Sequence, residues 1–156
     1  MAKISEIMLL QQIEQPILFI EGKTDLQGLS NLIGGGFEKI GTYLDKLGEL
    51  TTDLPFVMYP AYESMDEQNI NARVIFPVVK MMESDGEIKS SILPPSRIVM
   101  CMHKGTYDEL AVLYLEMAEW IKKKGYESTG TCYEYYYTGP DVPEQEQVTR
   151  VVLPIK

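Results

Sequence analysis

The apolar positions of this chain fall into two successive sets of one design. Residues 16–21 and 97–103 are short runs rich in apolar and β-branched side chains, the pattern of strands. Each is followed by a stretch with helical spacing. In 107–124, Leu110, Tyr114, Met117 and Ile121 recur every three or four residues. Asp108 and Glu109 sit in the first turn, and Lys122, Lys123 and Lys124, then Gly125, close the segment. The corresponding helix, 29–47, contains Gly34, Gly35 and Gly36, which predicts an irregular start or close packing. Two strands end each set: 56–64 with 72–82, and 131–138 with 148–155. Short extended segments, 4–12 and 87–93, open them, the second leading on through Pro94 and Pro95. Asp85 and Gly86 give a turn signal between the sets.

The two sets are copies. Displaced by 77 residues, Tyr43 meets Trp120, Gly48 meets Gly125, Tyr59 meets Tyr136, and Arg73 to Val78 meets Arg150 to Ile155 without a gap. Towards the N-terminus the displacement becomes 81, where Ile17 meets Ile98 and Lys23 meets Lys104. Collinear matches of this kind mark an internal duplication. The predicted fold is therefore α+β: duplicated strand-helix-strand-strand units, each after a short extended segment, forming an antiparallel sheet with two long helices. All of 1–156 reads as one domain made of two pseudo-symmetric halves, 1–79 and 84–156.

Composition narrows the function. With 45% apolar and 24% charged residues the chain is of ordinary globular type, and 156 residues suffice for a sizeable core. A net charge of −9 argues against nonspecific nucleic-acid binding and against docking on anionic membranes, and suits cationic small molecules. Two cysteines and one histidine make neither a disulfide framework nor a zinc motif, so no metal or cofactor is expected. The N-terminus lacks the apolar core of a secretion signal and no run is long enough to span a membrane, which makes a cytoplasmic location the expectation.

The candidate chemistry centres on residues 131–140, where four of the ten tyrosines surround one acid, Glu134. In a strand, Glu134 and Tyr136 share one face, and Tyr133, Tyr135 and Tyr137 the other. If the Glu134 face is covered, a carboxylate lies in an aromatic setting with no positive partner in its strand. That is costly unless its pKa rises or a ligand cation or water pairs with it. If the other face is covered, Glu134 is merely solvated. Other motifs are weaker. Gly22, Lys23 and Thr24 resemble the end of a phosphate loop, but Ile17 stands where its first glycine belongs. His103 lacks a nucleophile elbow and reads as structural. A glycosidase-like carboxylate pair fails because the counterpart of Glu134 is Val57. The aromatic pairs say more: a pseudo-twofold axis would bring Tyr43 with Trp120, and Tyr59 with Tyr136, towards a shared central groove able to receive flat or cationic molecules.

The segments His103-Lys104-Gly105-Thr106-Tyr107, Trp120-Ile121, Gly125-Tyr126, Glu134-x-Tyr136-x-x-x-Pro140 and Leu153-Pro154-Ile155 resemble the GyrI-like effector-binding family. That family includes the ligand-binding domains of multidrug-responsive AraC-type and MerR-type regulators. The likeness covers residues 97–156 best. It implies a ligand groove between the halves, with Glu134 as the acid that meets lipophilic cations. Some stand-alone members resemble hydrolases of strained, cyclopropane-bearing electrophiles, which implies Glu134, Tyr107 and Trp120 around an attacking water. Because the duplication occupies the whole sequence, no helix-turn-helix is expected, nor direct nucleic-acid binding. The leading expectation is a binder of bulky aromatic, apolar or cationic compounds, with walls from Tyr43, Tyr59, Tyr107, Trp120 and Tyr136. The alternatives are a hydrolase with Glu134 as general base and Tyr107 as its partner, and a protein inhibitor acting through its acidic surface.

Overall fold

A computed structural model describes residues 3–156. Eight strands make one curled, wholly antiparallel sheet. They are β1 (Met8–Gln12), β2 (Gln15–Thr24), β3 (Phe56–Tyr59), β4 (Ile70–Pro77), β5 (Lys89–Leu93), β6 (Ser96–Lys104), β7 (Cys132–Tyr136) and β8 (Val148–Pro154). Their order is β1-β6-β8-β7-β3-β4-β2-β5. The two helices are α1 (Leu29–Leu47) and α2 (Tyr107–Lys123).

The duplication is written into the register. Ile17 opposes Pro77 in β2–β4, and their counterparts Ile98 and Pro154 oppose each other in β6–β8. Phe56 opposes Ile75 in β3–β4, as Tyr133 opposes Val152 in β7–β8. The copies join where β3 meets β7, and there Val57 opposes Glu134, its own counterpart. The opening strands are exchanged. β1 pairs with β6 (Met8 opposite Met100), and β5 with β2 (Lys89 opposite Phe19), so each copy supplies the outer edge of the other. The copies are interlocked rather than set side by side.

Some boundaries differ from those the pattern predicts. β3 ends at Tyr59, because Pro60 has no N–H for the ladder, and the chain passes into a single 3-10 turn at Tyr62–Ser64. β4 ends at Pro77 rather than running on to residue 82. α1 is regular through its glycines. Gly36 lies against β4, where a Cβ would come 2.7 Å from Val74 Cγ2, while Gly34 and Gly35 face open space. α2 is capped by Thr106, whose hydroxyl accepts from the Glu109 amide at 3.3 Å.

Both helices lie on one face of the sheet. Ile40 and Leu44 of α1 pack on Leu18, Ile20, Val74 and Phe76. Leu110, Leu113, Met117 and Ile121 of α2 pack on Val57, Tyr59, Val99, Cys101 and Val151. On the other face Ile17, Phe56, Ile75, Ile98, Tyr133, Tyr135 and Val152 are buried among themselves within the curl. Phe56 and Tyr135 stack there with centroids 4.5 Å apart. Cys101 and Cys132 are both free and buried. Among the described residues no helix is long and apolar enough to cross a membrane.

Candidate ligand site around Glu134

Strand alternation sends Cys132, Glu134 and Tyr136 of β7 towards the helices and Tyr133 and Tyr135 into the curl. Of the two readings open in the sequence, the covered one holds: Glu134 is buried, at 8% exposure. Its neighbours in the sheet are apolar, Val57 on β3 and Val151 on β8. Among the described residues no lysine or arginine forms an ion pair with it. Phenols serve instead. Tyr114, one turn beyond Leu110 on α2, donates to Oε2. Tyr136 donates to Oε1 at 2.7 Å. The Tyr59 hydroxyl lies 3.0 Å from that of Tyr136. Since Tyr136 spends its one proton on the carboxylate, Tyr59 is the donor in that contact. Cys132 Sγ lies 3.3 Å from the Tyr114 hydroxyl, whose proton is likewise committed, so the thiol donates back to it. Tyr62, in the turn after β3, stacks on Tyr114 with centroids 4.4 Å apart.

Burial raises the Glu134 pKa above the ordinary carboxylate range, and the hydrogen bonds from Tyr114 and Tyr136, then the His103 ring, pull it partly back. Burial, and then the Glu134 charge, push Tyr114 and Tyr136 well above the usual phenol range. Tyr59 moves the same way for the same two reasons. These phenols remain donors at any physiological pH. The site is thus a cage of hydroxyl donors around one acid that, among the described residues, forms no ion pair.

Around this centre stand half-buried apolar side chains: Leu29, Leu32, Ile33 and Phe37 of α1 pack on the same cluster as Tyr62 and Tyr136. Tyr107 stands at the rim, two-thirds exposed at the start of α2, with its backbone N–H 3.3 Å from Glu144 Oε1. Burial, Glu134 and Glu144 all raise its pKa. The structure thus brings together Glu134, Tyr136 and Tyr59, with Tyr107 at their edge.

Tyr43 is not part of this constellation, and Trp120 packs on the same cluster without sharing the hydrogen bonds around Glu134. The Tyr43 hydroxyl donates to the Glu83 carbonyl at 2.9 Å, and Tyr43, like Met82, packs against the α1 cluster. Trp120 borders residues 3–7 and lies 6.5 Å from Tyr126. Their surroundings are related: Trp120 borders residues 3–7, and Tyr43 bonds Glu83, next to the counterpart segment 84–88, so each lies by the chain that leads into an exchanged strand. Both sit near the C-terminal ends of their helices and pack on different clusters, so the symmetry that relates them does not draw them into one groove.

Sequence reasoning missed Tyr114, whose helical spacing made it look like one more core residue. The available signal was a hydroxyl on an otherwise apolar stripe. Tyr62 and His103 were also passed over as contributors. His103 is buried, with Nε2 3.3 Å from the Thr106 carbonyl and Nδ1 without a hydrogen-bond partner. Its counterpart is Gly22, where a Cβ would meet Leu32 Cδ1 at 2.5 Å, so leucine fills in one copy the place imidazole takes in the other.

This fold and its phenol-caged acid define a small-molecule binding domain. The chain belongs to the GyrI-like small molecule binding domain family, whose model matches residues 5–156. No curated protein matches the sequence significantly. Among solved structures, the C-terminal domain of EcmrR is 22% identical with a TM-score of 0.81, and 98% of each chain is covered. In the EcmrR–DNA complex the likeness is 23% with a TM-score of 0.79, and the chain spans 57% of that protein's length. A hydrolase from Listeria innocua is 16% identical with a TM-score of 0.75, over 97% of this chain and 92% of that one. SAV2435, in a structure bound to tetraphenylphosphonium, is 13% identical with a TM-score of 0.62, over 97% and 94%.

Proposed function

We propose that the protein binds bulky aromatic cations, with Glu134 as the counter-charge and Tyr59, Tyr62, Tyr107, Tyr114 and Tyr136 as donors and ring faces around it. The observation that carries this reading is a buried carboxylate hydrogen-bonded by phenols and, among the described residues, in no ion pair with a lysine or arginine. A lipophilic cation supplies the missing charge without needing a hydrogen-bond acceptor, and the rings attract it through their negative faces. SAV2435, a fold relative, is bound to a molecule of this class. The test is calorimetric titration with tetraphenylphosphonium and with neutral triphenylphosphine oxide. Micromolar affinity, about −8 kcal/mol, is expected for the cation. Glu134→Gln keeps the shape and removes the charge, so it weakens the cation far more than the neutral compound. Equal weakening of both removes Glu134 from the electrostatic role.

A second reading rests on the raised Glu134 pKa, which suits a general base, and on fold relatives described as hydrolases. Glu134 would take a proton from water as the oxygen bonds to a strained cyclopropane carbon. The breaking carbon–carbon bond would leave its electron pair on the ring fragment, which the Tyr107 hydroxyl protonates. Binding is the better-supported reading, because each oxygen of Glu134 already accepts a phenol proton and no oriented water is required for binding. Incubation with a cyclopropane-bearing electrophile separates the two: mass spectrometry finds an added water with turnover if the protein is a hydrolase, and the compound unchanged if it only binds.

A further inference from the structure

The sheet face away from the helices holds a second cleft, of about 200 Å³, inside the curl. Every strand contributes to its wall, which has room for about six waters or one small organic molecule. Ile98, Met100 and Val152 make much of that wall apolar. Two of its polar atoms stand out: Arg150 Nε and Gln12 Nε2 are buried and have no hydrogen-bond partner among the described residues. Both are donors. The other amides of the cleft are occupied, with Gln15 Nε2 2.8 Å from the carbonyls of Pro16 and Val78, and Gln11 Nε2 3.2 Å from those of Gln12 and Ser96.

Arg150 is held on two sides. Its Nη2 donates to Asp53 Oδ2 at 3.0 Å, and its guanidinium lies 3.7 Å from the centroid of Tyr135, which in turn stacks on Phe56. What remains free is the Nε edge. Gln12 arrives on β1, the strand exchanged from the other copy, so the pair of free donors exists only because the copies interlock. Symmetry repeats only half of it: Arg73, the counterpart of Arg150, also has a buried Nε without a hydrogen bond, but that Nε lies 3.3 Å from Glu21 Oε1, and the counterparts of Gln12, Asp53 and Tyr135 are Leu93, Gly130 and Met58. A buried donor left unpaired is costly, so two in one cleft call for an acceptor from outside the chain.

We propose that this cleft is a second binding site, for a compact uncharged carbonyl compound whose oxygen accepts from Arg150 Nε and Gln12 Nε2. An uncharged acceptor fits better than a carboxylate because Asp53 already balances the arginine. The small volume excludes the bulky cations proposed for the Glu134 groove, from which the sheet itself separates the cleft.

Benzamide is a suitable probe, titrated into the full ¹⁵N-labelled chain while the Arg150 Nε–H and Gln12 side-chain amide signals are followed. Saturable shifts of both in the millimolar range are expected, with benzoate weaker than benzamide. Gln12→Leu, which installs the residue found at the counterpart position, should weaken benzamide at least fivefold and leave tetraphenylphosphonium binding as it was. Arg150→Lys keeps a charge for Asp53 but lacks Nε, and should weaken benzamide likewise. The proposal is overturned by an absence of saturable shifts at these two groups, by shifts confined to Glu134 and Tyr136, by benzoate binding as well as benzamide, or by folded variants that bind benzamide like the wild type.

Discussion

Val57 and Glu134 face each other across the β3–β7 pair and occupy the same position in the two copies, so the pseudo-twofold axis passes between them. Any side chain placed there appears twice unless the copies have diverged. Here they have: valine on one side leaves a single carboxylate at the centre, with phenols on the flanks. The asymmetry has a physical reason. Two acids directly opposed in a strand pair, both desolvated, cannot both ionise.

Val57→Glu tests this directly. A second carboxylate on the axis should cost about 3 kcal/mol or more at neutral pH, since neither a partner cation nor a second pair of phenols is present. The loss should shrink in acid, where both acids are protonated in the folded and unfolded chain alike. Chemical denaturation at pH 4 and pH 7.5 measures both limbs, and an equal loss at the two pH values would mean that bulk, not charge, is responsible.

Cation binding should depend on pH through Glu134. Its pKa is raised by burial, so below that pKa the free protein holds a proton that an incoming cation must displace. Affinity for tetraphenylphosphonium therefore rises with pH and levels off above the folded pKa, and binding on the rising limb releases a proton. Calorimetry in two buffers of different ionisation enthalpy reads that proton. Tyr114→Phe removes a bond that favours the ionised acid, worth roughly 1.5–3 kcal/mol, so the rising limb should move up by about one to two pH units. Tyr59→Phe, one bond further from the acid, should move it less.

How far this was legible in the sequence follows from which interactions are local. Helix spacing at Leu110, Met117 and Ile121, and the strand runs, lie within short windows, so their elements emerged directly. The repeat gave the symmetric ladder, because counterparts must share a register. It did not give the exchange of β1 and β5, since each strand has the same sequence whether it pairs within its own copy or across. Glu134, Tyr59 and Tyr136 were readable as neighbours because the axis runs through their strands. Tyr43 and Trp120 matched just as well in sequence, but matching only says that two residues are related by the axis. It does not say how far they lie from it. Tyr114 was hidden because a helix stripe is read for its apolar surface, and the hydroxyl that reaches Glu134 contributes nothing to that pattern.

The Gly34, Gly35 and Gly36 triplet should divide under alanine substitution. Gly36→Ala drives a Cβ to 2.7 Å from Val74 Cγ2 and 2.9 Å from its Cβ, so α1 must lift from β4, at a cost of about 1–3 kcal/mol. Gly34→Ala and Gly35→Ala meet nothing within 4 Å and stiffen the unfolded chain, so each should stabilise by about 0.4–1 kcal/mol. Thermal melts of the three variants decide it, and opposite signs within one turn are the expected result.

Glu134→Gln should make the unliganded protein more stable, in a pH-dependent way. The folded pKa of Glu134 lies above its unfolded value of about 4.3. Below that unfolded value the acid is protonated in both states and its charge costs nothing. As pH rises, the unfolded chain ionises first while the folded one still holds its proton, so stability falls until the folded pKa is passed and is constant beyond it. Glutamine carries no charge to desolvate and can still accept from one of the two phenols that hold the acid. The variant should therefore match the wild type near pH 4 and exceed it by on the order of 1–3 kcal/mol at pH 8. Adding tetraphenylphosphonium should reverse the order at pH 8, because the cation stabilises only the protein that offers it a charge. Melting curves across pH 4–8, with and without the cation, measure both effects. A wild type more stable than the variant at high pH without ligand would mean that the phenols alone more than compensate the burial of the charge.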